Sequence, residues 1–194
     1  MSTMSRAITS PKVRFTVREY LRMAEGGVLK PRGTELIEGR IVKMAPQRDP
    51  HMFAVMKTTR ALLKALPEGD FLAIQGTLRL GDRTMVDPDF FWCATPWNTP
   101  EAKRPTPSLV IEISHSSYRR DAGIKLRKYA QHGIADYWIV HLEQNRVEVY
   151  RDPQNPTGKS RDCRYASVTH HARGERMALL ARPEVTLQVS DLLP

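Results

Sequence analysis

Glu112 stands inside the apolar run Leu109-Val110-Ile111-Glu112-Ile113. An isolated ionised carboxylate is costly to bury, so such a group is paired, protonated or bound to a metal. Two further acids, Asp87 and Asp89, flank Pro88 in "TMVDPDFFWC". Side chains alternate along a strand, so Asp87 and Asp89 share one face, while Glu112 shares a face with Val110 and Ser114. Pro88 has no N–H to give a ladder, which predicts an edge or a bulge able to re-aim Asp89. Carboxylates on neighbouring strands make an oxygen-rich site for a hard divalent cation, typically Mg2+. A little further on, "DAGIK" holds Asp121 and Lys125 at i and i+4. An ammonium swinging back towards Glu112 would steady an attacking water and offset charge on a phosphorane. Cation and lysine together make a tool for phosphodiester hydrolysis. Each piece also has a plain structural reading. Asp121 and Lys125 would be a surface helix pair, Glu112 the partner of an arginine, and Pro88-Asp89 a turn.

The elements that must position these residues follow from periodicity and punctuation. "TVREYLRMAE" predicts a short helix over 16–25, with Thr16 as N-cap and Glu19 closing a capping box. "TELIEGRIVKMA" reads as two strands about a turn at Glu38-Gly39. A helix follows in "DPHMFAVMKTTRALLKALPEG", with Met52, Val55, Met56, Thr59, Leu62, Leu63 and Leu66 as its apolar stripe. Lys57, Arg60 and Lys64 fall off that stripe, as a solvated face. "FLAIQGTLRL" and "TMVDPDFFWC", separated by "GDR", predict an antiparallel hairpin with a Gly-Asp turn. Four prolines mark 94–107 as a loop. "SLVIEIS" is then a central strand, "RRDAGIKLRKYAQHG" a helix stopped by Gly133, and "ADYWIVHL" a second buried strand. "NR" turns the chain into "VEVYR", a loop follows at 152–160, and "RYASVTH" and "EVTLQVS" are weaker strands. The order implies an α/β (α+β) domain around a mixed sheet. Residues 1–12 read as a loose arm and 13–194 as one domain, with a β extension from about 152.

With 30 Lys+Arg against 21 Asp+Glu, the net charge of +9 favours a polyanionic partner, nucleic acid first. A basic surface serving solubility is the alternative. No apolar run is long enough to cross a bilayer, and no secretory signal is visible, so a cytoplasmic protein is expected. Cys93 and Cys163 stand alone and suggest neither zinc nor a disulfide framework.

The segments "ELIEG", "DPDFFW", "PSLVIEIS", "DAGIKLRKYAQHGIADYWIV" and "VEVY" resemble the Uma-two family, a bacterial group described as "putative restriction endonucleases" within the PD-(D/E)XK nuclease superfamily. The resemblance spans roughly 16–150 and is most specific over 121–140. It implies a restriction-endonuclease-like core, a mixed four-stranded sheet flanked by helices, with the metal site where the sheet splays. Asp89 matches the family's Pro-Asp aspartate and Glu112 its strand glutamate, and both would bind the metal beside the carbonyl of Ile113. The usual nuclease pattern has lysine two residues after that glutamate, where this chain has Ser114. Lys125, on the following helix, matches the displaced lysine. Glu35 matches a family glutamate, a candidate to complete the acidic cluster, while Glu38 serves the turn. His51 matches a recurring histidine that either contacts phosphate or water or caps its helix. Asp136 stands where glutamate is commoner and is expected to be structural. Tyr129, Tyr137 and Trp138 are expected in the core, and His170 and His171 on the surface.

The resemblance therefore implies an endodeoxyribonuclease using Mg2+ or Mn2+, with DNA as partner. Two strands to cut make a homodimer the expected assembly. The competing reading is a nucleic-acid-binding or interaction module without turnover. A phosphoesterase for small substrates is a third reading, which salt-sensitive DNA binding would oppose.

Overall fold

The capping box expected at Thr16 forms: its hydroxyl accepts the Glu19 N–H, and the Glu19 carboxylate accepts the Thr16 N–H at 2.8 Å. It opens α1 (Val17–Glu25), which buries Val17 and Tyr20 against Leu36. The computed structural model describes residues 12–30, 33–95, 97, 100, 105–156 and 159–194. The arm expected at 1–12 thus falls almost wholly outside the described residues, as does part of the proline-bearing loop.

Strands β1 (Thr34–Ile37) and β2 (Arg40–Lys43) pair antiparallel. Glu38 and Gly39 between them both have positive φ, which suits the right-handed twist of a two-residue hairpin. Next comes α2 (Asp49–Ala65), followed by β3 (Phe71–Ile74), β4 (Leu78–Arg79), β5 (Met85–Val86) and β6 (Phe90–Cys93). The single hairpin expected here is divided between two sheets. Its tip, β4 with β5, joins β1 and β2 in a four-stranded sheet of order β2-β1-β5-β4. Its base, β3 with β6, belongs to a larger sheet. The break has local causes. Gln75 takes a left-handed φ of 49°, and a Cβ on Gly76 would lie 2.9 Å from that of Ala73. On the other limb Pro88 cannot donate to the ladder.

The larger sheet continues with β7 (Leu109–Ser114), β8 (Asp136–His141), β9 (Arg146–Gln154) and β10 (Arg164–Ala172), in the order β10-β9-β8-β7-β6-β3. It has six strands, where the resemblance implied four, because β3 and β10 add to its edges. Only β7 and β8 run parallel among its pairs. β9 continues to Gln154, so the loop expected from 152 starts later. A small pair, β11 (Arg176–Ala178) and β12 (Thr186–Gln188), closes the chain.

A helical block joins β7 to β8: α3 (Tyr118–Arg120), a π-helical turn over Asp121–Lys125, and α4 (Leu126–Gln131). The alternation read in β7 decides which layer each side chain meets. Leu109, Ile111 and Ile113 face α2 and the C-terminal residues Leu192 and Leu193. Val110 faces Tyr129 and Tyr137 beneath the helical block.

The buried face of α2 is rotated from the one expected. Ala54, Thr58 and Leu62 are buried, whereas Met52, Phe53, Met56 and Leu63 are exposed. Lys57 bends inward to give a hydrogen bond to the Ser190 carbonyl at 2.8 Å. Small residues on the buried face let the helix lie close to β7, which periodicity weighted by residue size does not reveal. Among the described residues, no helix is long and apolar enough to cross a membrane.

Candidate active site

Asp87, Pro88 and Asp89 carry the chain from the smaller sheet (β5) into the larger one (β6). β6 pairs with β7 only as far as Phe90 opposite Ile111. Beyond that point no strand among the described residues pairs with this edge of β7, and the Asp89 carboxylate takes its place. Oδ2 of Asp89 accepts the N–H of Ile113 at 2.8 Å. A strand residue presents N–H and C=O to the same edge, so the Ile113 carbonyl also faces this gap.

Glu112, one residue earlier, points to the opposite layer and meets the π-helical turn. Its Oε1 accepts Nζ of Lys125 at 2.9 Å and the Tyr129 hydroxyl at 2.6 Å. The ammonium is shared: it lies 2.8 Å from Oε1 of Glu35, on β1, and 3.9 Å from Asp121. Glu35 also accepts the N–H of Asp87 at 3.1 Å, which ties the two sheets together at the site. No ion pair joins Lys125 to Asp89 among the described residues; Asp89 instead meets His51 Nε2 at 3.2 Å. His51 does not cap α2. The N-cap is Arg48, with no side-chain cap bond, and His51 turns into the site.

These groups line one open cavity of about 650 Å³, which Arg48, Arg120 and His115 also border. All the residues expected from sequence (Asp89, Glu112, Lys125, Glu35, His51 and Ile113) lie on it. The sequence offers Asp121 only as a surface pair with Lys125, yet it is 2% exposed and accepts the Ser114 hydroxyl at 2.6 Å. Its main-chain carbonyl accepts the Tyr137 hydroxyl at 3.1 Å. Ser114, in the place of the usual lysine, thus holds an acid. Tyr129 packs in the core as expected, but it also holds Glu112. Asp121, Lys125 and Tyr129 recur every four residues, a spacing that puts them on one helix face and was sufficient to group them. Arg120, 3.7 Å from Oε2 of Glu35, carried no sequence signal of its own.

Elsewhere, Glu38 forms the turn and pairs with Lys128 at 3.0 Å. Asp136 is structural as expected, buried against Arg151 at 2.8 Å.

The electrostatics follow from three carboxylates around one ammonium, with Asp87 and Asp89 on the same cavity. Burial pushes the pKa of Glu112 well above the usual carboxylate range; Lys125 opposes this, while Asp121, Asp89 and Glu35 add to it. Burial likewise raises Asp121 against the pull of Lys125 and Ser114. Asp87 is raised by burial, with Glu35 adding repulsion. Burial disfavours the charge on Lys125, but Glu112, Glu35 and Asp121 outweigh it and keep the ammonium protonated. Tyr129 is held neutral by burial and by Glu112, so it remains a donor.

The donor set can be tested against a divalent cation. Among the described residues, no three His, Cys, Asp or Glu side chains are gathered so as to hold a metal by themselves. Asp89, Glu112 and the Ile113 carbonyl supply oxygen donors, and Oε2 of Glu35 is buried with no hydrogen-bond partner. One or two carboxylates, completed by water and phosphate, is the way Mg2+ is usually bound. The excess of negative charge asks for such an ion. The residues fit it.

A mixed sheet with an acidic cleft at its splayed edge, flanked by helices on both faces, defines a restriction-endonuclease-like α+β fold. The chain belongs to the Uma2 family, described as "Putative restriction endonuclease", whose family model matches residues 17–190. Among solved structures, the fold is similar to a crystal structure from Anabaena variabilis described as "a putative nuclease belonging to DUF820". The two share 17% identity at a TM-score of 0.68, over 92% of this chain and 97% of that one. No curated protein matches the chain.

Proposed function

We propose that this protein is a Mg2+-dependent DNA endonuclease that works as a homodimer, with Mn2+ an effective substitute. The observation that carries the reading is the placement of Lys125, buried between Glu112 and Glu35 beside the Asp89–Ile113 edge.

Asp89, Glu112 and the Ile113 carbonyl would hold the cation, which when bound polarises phosphate and lowers the pKa of its water. Lys125 has three N–H donors, of which Glu112 and Glu35 take two. The third is left for the attacking water or a phosphate oxygen. Because the surrounding acids keep it charged, Lys125 acts as a donor that stabilises developing negative charge and not as a general base. His51, 3.2 Å from Asp89, would contact water or phosphate beside that carboxylate. Arg48 and Arg120 at the rim supply positive charge for a DNA backbone, in keeping with the net charge of +9. Glu35 and Tyr129 position Lys125 and Glu112.

The test is nicking of supercoiled plasmid with Mg2+, Mn2+ or chelator. The near-isosteric variants Asp89→Asn, Glu112→Gln and Lys125→Met should each abolish nicking. Undiminished cleavage by purified Glu112→Gln would overturn the assignment. Salt-sensitive DNA binding without nicking under any divalent cation would leave a binding module in its place.

A further inference from the structure

The exposed side of α2 is built differently from an ordinary solvated helix face. Met52, Phe53, Met56 and Leu63 are 52%, 53%, 41% and 64% exposed. At 3.6 residues per turn they fall on one side, opposite the buried Ala54, Thr58 and Leu62. Contiguous apolar surface of this kind marks an interaction site more often than isolated exposed residues do. The same side carries exposed Asp49 at its first turn, with exposed Arg60 and Lys64 towards its last. The stripe is therefore acidic at one end, apolar in the middle and basic at the other.

We infer that α2 is the interface with a second copy of this chain, the two helices packing antiparallel about a two-fold axis near Met56. Such a stripe complements itself when reversed. Pairing Asp49 with the partner's Lys64 puts the midpoint between Met56 and Lys57 and sets Phe53 against the partner's Arg60. That second pair is a cation–π contact. A parallel arrangement would bring like charges together instead. An isologous contact of this kind closes at two chains. One helix face is a small interface, so association should fall in the micromolar range. His51 lies on the same helix and turns into the cleft, so the two-fold axis would place the two clefts on either side of the shared helix pair. The interface rests on the nuclease reading only for the expectation of a dimer.

The test is light scattering across a concentration series, combined with cysteine cross-linking. The unmodified protein should approach the mass of two chains in the micromolar range, and Met56→Glu should stay monomeric there. Asp49→Lys should weaken the dimer, and Asp49→Lys with Lys64→Asp should restore it. Under mild oxidant Met56→Cys should cross-link to its own copy, because the two positions lie within about 2 Å along the axis. Leu63→Cys should not, since its copy would lie about 20 Å away along the axis. Native Cys93 and Cys163 are both buried. A monomer at every concentration, a dimer indifferent to Met56→Glu, or equal cross-linking at both positions overturns the proposal. Plasmid nicking by the unmodified protein separates the two readings: a monomer that nicks overturns this interface alone, and a Met56-dependent dimer that nicks under no divalent cation overturns the nuclease reading alone.

Discussion

Replacing Lys125 by methionine keeps the apolar stem of the side chain and removes the ammonium, with its charge and its three N–H donors. In the folded protein the ammonium sits 2.8 Å from Glu35 and 2.9 Å from Glu112, with side-chain exposures of 5%, 0% and 5% for the three residues. Breaking a buried ion pair from one side costs roughly 3–5 kcal/mol, because the remaining charge keeps its desolvation penalty and loses its compensation. In a domain of this size about 1 kcal/mol moves Tm by roughly 2–4 °C. Lys125→Met should therefore lower Tm by roughly 6–20 °C in chelator. The loss has a pH dependence of known sign. Burial already favours the protonated form of Glu112, and without Lys125 it does so more strongly. At acidic pH the carboxyls are neutral and need no partner, so the penalty shrinks; as pH rises it grows. Thermal melts of both proteins across a pH series measure this directly. A Tm unchanged at neutral pH, or a penalty independent of pH, would refute the view that Lys125 is the buried counter-charge of the site.

The other expectations concern the acid and its tyrosine. Because the folded pKa of Glu112 is raised, its contribution to stability is complete below its unfolded pKa and is lost as pH rises through the folded value. In chelator, Glu112→Gln should thus gain on the unmodified protein as pH rises, and Mg2+ should narrow that gap by stabilising only the protein that retains the carboxylate; melts showing a constant difference would contradict this. Tyr129→Phe removes the 2.6 Å donor to Glu112 and should cost about 1.5–3 kcal/mol of stability. It should also slow nicking by roughly tenfold, without shifting the Mg2+ requirement to another ion.

The residues that converge on the cleft were more legible in the sequence than the frame that holds them. Asp89, Glu112 and Lys125 were legible because each violates a local expectation: an acid after proline in a strand, an acid in an apolar run, a cation opening a helix between buried strands. The turn at Glu38-Gly39 and the cap at Thr16 were legible because their chemistry is local. Three features were not. The π-helical turn over Asp121–Lys125 has no composition of its own, and although the four-residue spacing groups Asp121 with Lys125 and Tyr129, nothing local shows that this face is buried. The face of α2 was misjudged because small Ala54 and Thr58 are buried beside Leu62, while the larger Met52, Phe53, Met56 and Leu63 point outward. The division of one hairpin between two sheets depends on Gln75 and Gly76 turning away from the ladder, a tertiary choice that strand propensity does not encode.

The most direct test of the central claim is an anomalous-scattering crystal experiment on the protein soaked in Mn2+. A single strong peak bounded by Asp89, Glu112 and the Ile113 carbonyl, absent in Glu112→Gln, is the predicted result. A site that stays without a peak at saturating Mn2+, or a peak held by other residues, would contradict the account.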